Sequence, residues 1–156
     1  MKTIGAHWYS RPKTLKECTQ QSLLFLEKLK EHNSNSFGLW YEKAGSRKQA
    51  LQHKVEFTYD NIKKLFTKRG KDDAYPKVSY SFGIWNGASR DEDAVSLSVS
   101  LGSTESKYFT NNCVINLPHE GAQREFYTDK VNQKALINLL KEHWNPEWIM
   151  VDEEKL

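Results

Sequence analysis

Apolar and small polar residues alternate with a period of two along two stretches in the middle of the chain. Large apolar side chains occupy every second position in residues 78–85, and residues 95–101 alternate strictly with serine. A period of two is typical of a β-strand with one buried face. Asn86-Gly87 and the acidic loop that follows predict a hairpin between these two strands. Residues 112–117 predict a third strand of the same meander.

Apolar residues recur with helical spacing in the first half of the chain. Thr14 and Glu17 form the pattern of a capping box, and the helix that they begin is predicted to end near His32. Ser46 is the expected cap of a second helix, and we expect Gly45 before it to take a positive φ in a chain reversal.

Two further helices and two further strands complete the predicted elements. A third helix is expected from about residue 58, with the glycine at 70 just beyond its end, and a fourth from about 131 to 143. Residues 3–9 predict a first strand and residues 147–151 an edge strand. The fold class is therefore α+β, an antiparallel β-meander sheet with about four helices packed mainly on one face. The length of 156 residues suits a single domain, which we place at residues 1–156.

Composition narrows the function classes. No apolar run approaches the roughly 20 residues that a membrane helix needs, so no membrane association is expected. The first residues lack the apolar core of a signal peptide, which leads us to expect a cytoplasmic protein. Cys18 and Cys113 are far apart and lie in apolar patterns, as buried hydrophobic residues do.

Charge is distributed unevenly along the chain. Residues 1–71 contain 15 Lys and Arg against 6 Asp and Glu, whereas residues 72–156 contain 8 against 14. A basic first half is compatible with a solvated helical layer and, as an alternative, with a nucleic-acid-binding module.

Motifs of catalysis are sparse. The five histidines show no metal-ligand spacing, and neither a nucleophile elbow nor a phosphate-binding loop is present in the sequence. One arrangement, Asp93 followed by Glu105 and Lys107, matches the carboxylates and lysine of a metal-dependent nuclease, which is a second alternative. We expect no enzyme activity, no cofactor and no metal.

The tryptophans are the remaining candidates for core or partner-binding residues. Trp40 is interpreted as part of the helical layer, and Trp144 and Trp148 as core residues that close the fold. If Phe82 and Ile84 face the core, Trp85 points to the second face of the sheet over a floor of serines. Such a face is solvated, covered by another element, or used by a partner.

Several segments in order along the chain resemble the immunity protein 52 family of bacterial polymorphic-toxin systems. They are residues 7–12, 17–18, 40–43, 46–51, 82–87, 94–99, 112–118 and 146–148. The resemblance implies a small α+β immunity protein whose partner is the C-terminal domain of a cognate toxin, often a nuclease with a restriction-endonuclease-like domain. Direct nucleic-acid binding is then not expected, and self-association is left open.

The hypothesis for the toxin-binding surface is one patch beside the first hairpin. Its residues are Trp85, Asn86, Asp91, Glu92 and Asp93, an aromatic anchor with an anionic rim. The whole protein has a formal charge of +3, which argues against simple mimicry of nucleic-acid phosphate by the entire chain. The acidic second half of the chain is still compatible with local mimicry of phosphate charge.

Overall fold

The computed structural model describes residues 1–67, 79–107 and 111–156, and these ranges form one antiparallel sheet with helices. The strands are β1 (Thr3–Trp8), β2 (Tyr41–Glu42), β3 (Tyr80–Trp85), β4 (Ser96–Leu101), β5 (Asn111–Asn116), β6 (Trp148–Val151) and β7 (Glu154–Lys155). The α-helices are α1 (Leu15–His32), α2 (Ser34–Phe37), α3 (Arg47–Ala50), α4 (Tyr59–Thr67), α5 (Gly121–Phe126) and α6 (Lys130–Trp144). A 3₁₀ turn, Asp91–Asp93, lies between β3 and β4.

The sheet has the strand order β2-β3-β4-β5-β1-β6-β7, with every pair antiparallel. The predicted α+β class and the β3-β4-β5 meander are confirmed. The meander does not extend through the whole sheet, because β1 inserts between β5 and β6. Residues 147–151 do contain a strand, but β7 pairs with its outer side, so the prediction of an edge strand is wrong.

The described ranges contain six helices where about four were predicted. The residues that follow the predicted end of α1 form α2, because Asn33 both ends α1 and caps the next turn. Its Oδ1 accepts a hydrogen bond from Ser36 N at 3.3 Å. The other additional helix, α5, buries no residue, so it carries no periodic apolar signal.

The capping box of α1 forms as predicted. Glu17 N donates to Thr14 Oγ1 at 3.2 Å, and Thr14 N donates to Glu17 Oε1 at 3.0 Å. Each of these bonds satisfies a backbone donor that the first turn would otherwise leave without a partner. The helix then buries one side, including Phe25, Leu26 and Leu29, against the sheet and its neighbours.

The core lies between one face of the sheet and helices α1, α4 and α6. Trp144 stacks on Trp8 with ring centroids 5.6 Å apart, and Phe25 packs against Trp144 at 5.0 Å. On the other side of the layer, Phe66 of α4 meets Phe82 of β3 edge to face at 4.9 Å. These ring contacts fix which face of each strand is buried.

The predicted apolar positions differ in how deeply they are buried. Trp40 is fully buried and stacks on Phe37 at 6.2 Å, which confirms its place in the helical layer. Tyr80 and Val131 lie at apolar positions of the predicted strand and last helix, where burial is expected, but they are 40% and 75% exposed. Both lie at the first or second residue of their element, where neighbouring elements no longer cover the apolar face. The glycine at residue 70 that was predicted to terminate α4 and the predicted start of β3 at residue 78 lie outside the described residues.

The glycine prediction is wrong in its position. Gly45 does not have a positive φ, and an added Cβ would meet only the Gln49 side chain, at 3.3 Å. Ser46 alone sets the start of α3, since its hydroxyl accepts from Gln49 N at 3.2 Å. Positive φ occurs instead at other glycines, among them Gly87 with a φ of 73°.

We expect Gly87→Ala to lower the free energy of unfolding by about 2–3 kcal/mol, measured by urea denaturation. An alanine there must hold a positive φ, and its Cβ would lie 2.6 Å from the Tyr41 ring. Gly45→Ala is the matched control, with an expected change below about 0.5 kcal/mol. Equal losses in the two variants would contradict this account of the hairpin.

Candidate functional site

The second face of the sheet points away from the helices that form the core. Helices α1, α4 and α6 all pack on the opposite face. We call this second surface the open face, and strand register assigns to it Thr3, Gly5, His7, Tyr41, Ser81, Gly83, Trp85, Ser96, Ser98, Ser100, Asn112, Val114, Asn116, Trp148, Met150 and Lys155. The floor of small residues predicted for β3 and β4 is confirmed.

Trp85 lies on the open face at the end of β3. Its strand partners are Tyr41 on one side and Ser96 on the other. The Trp85 side chain is half-buried, and α3 contacts the loop that follows it, where Arg47 Nε donates to Ala88 O at 3.2 Å. Beyond Ser96, Asn116 donates to the serine hydroxyl at 3.0 Å and accepts from Thr3 Oγ1 at 3.1 Å. A hydrogen-bonded polar row therefore extends from the tryptophan across three strands.

The acidic loop beside Trp85 is partly neutralised from within. Arg90 donates to both carboxylate oxygens of Asp93, at 2.8 and 3.2 Å, and its Nη1 lies 3.4 Å from Glu92 Oε1. The hydrogen bonds from Arg90 hold the pKa of Asp93 below its usual range. Asp91 is exposed and has no side-chain partner among the described residues. Its charge is therefore the one that faces solvent most directly.

Asn86 closes the same loop. Its Oδ1 accepts hydrogen bonds from Ala88 N at 3.3 Å and Val95 N at 3.1 Å, while its Nδ2 donates to Asp93 O at 3.2 Å. These bonds hold the two ends of the loop together and fix its position next to Trp85. Contact between Asn86 and a partner stays a prediction.

A second aromatic group lies on the opposite side of the open face, and sequence reasoning missed it. Trp148 was expected in the core, but its side chain is half-buried on the open face, where it stacks loosely on His7 at 6.3 Å. Tyr9 meets the Trp148 ring edge to face at 5.6 Å, and Lys155 Nζ lies 4.7 Å from its centroid. We call His7, Tyr9, Trp148 and Lys155 the aromatic corner.

The signal that could have located the aromatic corner was the period of β6. Ile149 is buried and pairs with Ala6, so the residues on either side of it must point to the open face. The helical end at Trp144 instead suggested one continuous cluster of core tryptophans. Burial lowers the pKa of His7, which favours its neutral form in this position.

The arrangement proposed for a metal-dependent nuclease is not assembled. Asp93 precedes β4 and Glu105 follows it, so the two carboxylates lie at opposite ends of a strand, about 20 Å apart. Glu105 instead accepts a hydrogen bond from the backbone N of Lys107 at 2.8 Å. Within the ranges that the structure describes, no three metal-ligating side chains are grouped. One ion cannot bridge these two carboxylates.

Both cysteines are buried in the core, as predicted. Neither forms a disulfide, and each has an exposed fraction of 0%. Burial raises the pKa of Cys18 to about 11 and that of Cys113 further still. The reactive thiolate is therefore strongly disfavoured at neutral pH.

A groove of about 340 Å³ lies between α1 and α6 on the helical side. Its histidine at 143 is hydrogen-bonded on both ring nitrogens. His143 Nε2 donates to Gln21 O at 2.9 Å, and its Nδ1 accepts from Lys28 Nζ at 3.2 Å. Burial, together with the Lys28 charge, lowers the pKa of His143 to about 4. His143 is therefore a neutral side chain that connects α1 and α6 through these hydrogen bonds.

Comparison with known protein families identifies the family of this chain. The model of the family described as immunity protein 52 matches residues 2–155, which is essentially the whole chain.

The chain belongs to the immunity protein 52 family.

Membership confirms the resemblance carried by the ordered motifs along the sequence, and it places the protein among immunity proteins, whose partners are toxins. No curated protein matches the chain. Among the helices of the described ranges, none combines the length and apolar character needed to cross a membrane.

Proposed function

We propose that this immunity protein 52 family member binds the C-terminal domain of a cognate bacterial toxin and neutralises it stoichiometrically, without catalysis. The observation that carries the proposal is the open face, a broad sheet surface with half-buried aromatic residues that α1, α4 and α6 leave uncovered. Desolvated aromatic side chains supply much of the binding energy at protein interfaces. We place the centre of the contact at Trp85 and its rim at Asp91, Glu92 and Asp93.

We further propose that the toxin is a nuclease with a restriction-endonuclease-like domain, acting on nucleic acid in the cytoplasm. A nuclease presents a cationic cleft to its substrate, and an anionic loop complements such a cleft in sign. The acidic loop supports this choice because Asp91 is exposed and its carboxylate has no partner among the described residues.

Co-expression tests the function directly. Bacteria that produce the toxin encoded beside this protein should survive when the protein is co-expressed, and the two chains should co-purify. Rescue without any complex in pull-down or gel filtration would overturn the binding mechanism. Steeply salt-dependent binding to DNA or RNA in the absence of toxin would favour a nucleic-acid-binding module instead.

We expect replacement of Asp91, Glu92 and Asp93 by Ser to slow association with the toxin by about tenfold at low salt and to flatten its salt dependence. Asp91→Ser alone should produce a large share of that effect, because Arg90 already offsets the other two carboxylates. Stopped-flow association at several salt concentrations measures both quantities.

The matched control removes the same charge from the helical side through Glu27→Ser, Glu31→Ser and Asp60→Ser. These three residues are exposed on α1 and α4. A similar decrease of the association rate in both triple variants would show that only net charge matters, and would remove the loop from the interface.

A further inference from the structure

We propose that the open face binds an acidic segment of the toxin, whose carboxylates pair with Lys43 and Lys155. This inference rests on the proposed function and names the chemistry of one part of the contact. It concerns a surface that is separate from the acidic loop and of opposite charge.

The charged side chains on the described strands of the open face are positive. None of the described strand positions assigned to this face is Asp or Glu, whereas β7 contributes Lys155 and the residue after β2 contributes Lys43. Lys155 Nζ lies 4.7 Å from the Trp148 centroid, and Lys43 Nζ lies 3.6 Å from the position that a Cβ on Gly83 would take. Both ammonium groups are therefore held over the face. Neither pairs with a carboxylate among the described residues.

The two lysines lie at opposite ends of a single row of paired residues. From the Lys43 end the row contains Gly83, Ser98, Val114, Gly5, Met150 and finally Lys155. Five strand spacings separate Gly83 from Lys155, which corresponds to about 24 Å. Seven or eight extended residues, or a helix of about sixteen, would span that distance.

The row offers a short side chain at Ser98, where a bound segment can approach the sheet. Neighbouring side chains occupy the space over the two glycines of the row: Lys43 lies over Gly83, and His7 Nε2 lies 2.6 Å from the position that a Cβ on Gly5 would take. An acidic residue at each end of that segment would then reach a lysine. Complementary charges at the two ends fix the orientation and register of the segment.

The aromatic corner favours carboxylates over nucleic acid. Base stacking on Trp148 would require an accessible ring face, but Lys155 lies over the ring and His7 stacks on it. The Lys155 ammonium group can instead donate hydrogen bonds to a carboxylate of a protein partner. Only two cations lie along the row, which is few for a surface that binds the phosphates of a nucleic acid.

Charge reversal tests the inference by titration calorimetry with the purified C-terminal domain of the adjacent toxin. We expect Lys43→Glu and Lys155→Glu each to raise Kd by about tenfold or more, and the double variant by about a hundredfold. Lys63→Glu and Lys134→Glu, on exposed positions of α4 and α6, should change Kd by less than about threefold. Melting temperatures should stay close to wild type in all variants.

Lys155→Met provides a second test that leaves the packing on Trp148 in place. It should raise Kd although a flexible apolar side chain still covers the ring. Wild-type affinity in this variant and in Lys43→Glu, while the wild-type complex forms, would overturn this inference and leave the proposed function standing. Absence of any wild-type complex would overturn both. Binding of a single-stranded oligonucleotide that Lys43→Glu abolishes, without toxin, would replace the acidic segment with nucleic acid.

Discussion

Replacing Trp144 with alanine is expected to lower the free energy of unfolding by about 3–5 kcal/mol. Trp144 has an exposed fraction of 0%, stacks on Trp8 at 5.6 Å and packs against Phe25 at 5.0 Å. Its removal leaves a cavity at the point where α1, α6 and β1 meet, and the surrounding backbone can close that cavity only in part. Urea denaturation followed by circular dichroism measures the loss.

Trp148→Ala is the matched control, since the two tryptophans flank the same turn after α6. Trp148 lies half-buried on the open face, so its replacement should cost less than about 1.5 kcal/mol of stability. If Trp148→Ala destabilised the protein as much as Trp144→Ala, the assignment of Trp148 to the open face would be wrong.

Trp85→Ala is expected to weaken toxin binding by about 2 kcal/mol or more, which is a rise in Kd of about thirtyfold, with melting nearly unchanged. The tryptophan lies on the open face, and the helices that form the core pack on the other side of the sheet. The part of its apolar surface that is still exposed would be removed from water when a partner binds. Calorimetric titration and thermal melting of the same variant separate the two effects.

Val131→Ala gives the corresponding control on the helical side, where the side chain is 75% exposed. Its removal should leave both the affinity for the toxin and the melting temperature close to wild type. A stability loss of about 3–5 kcal/mol in Trp85→Ala would show that Trp85 belongs to a core, and unchanged affinity would show that it is not an anchor.

Sequence patterns predicted the features of this fold that depend on interactions between residues close in sequence. The period of two in β3 and β4 placed Phe82 and Leu97 in the core and Trp85 on the other face, since register follows directly from alternation. The capping box at Thr14 located the start of α1 because its two hydrogen bonds join residues three apart.

Pairing between distant strands could not be read from the sequence. Insertion of β1 between β5 and β6 depends on contacts more than a hundred residues apart, and no local signal specifies them. The position of Trp148 depends on that pairing, because its strand neighbour is His7. The aromatic corner was therefore missed, and the outcome for the serine floor stayed open among three alternatives.

Gly45 shows a different limit. A glycine before a helix cap suggests a positive φ, but glycine also adopts ordinary backbone conformations without cost. The conformation that requires glycine occurs at Gly87, where the Tyr41 ring occupies the space a side chain would need. Sequence alone indicated a turn at both places and could not rank them.

The central claim is stoichiometric neutralisation, and an activity titration tests it most directly. A fixed amount of the adjacent toxin's C-terminal domain is mixed with increasing amounts of this protein, and residual toxin activity is measured at concentrations well above Kd. The account predicts a linear fall that reaches zero at about one equivalent. Complete inactivation at about a tenth of an equivalent, or full activity at a large excess, would contradict it.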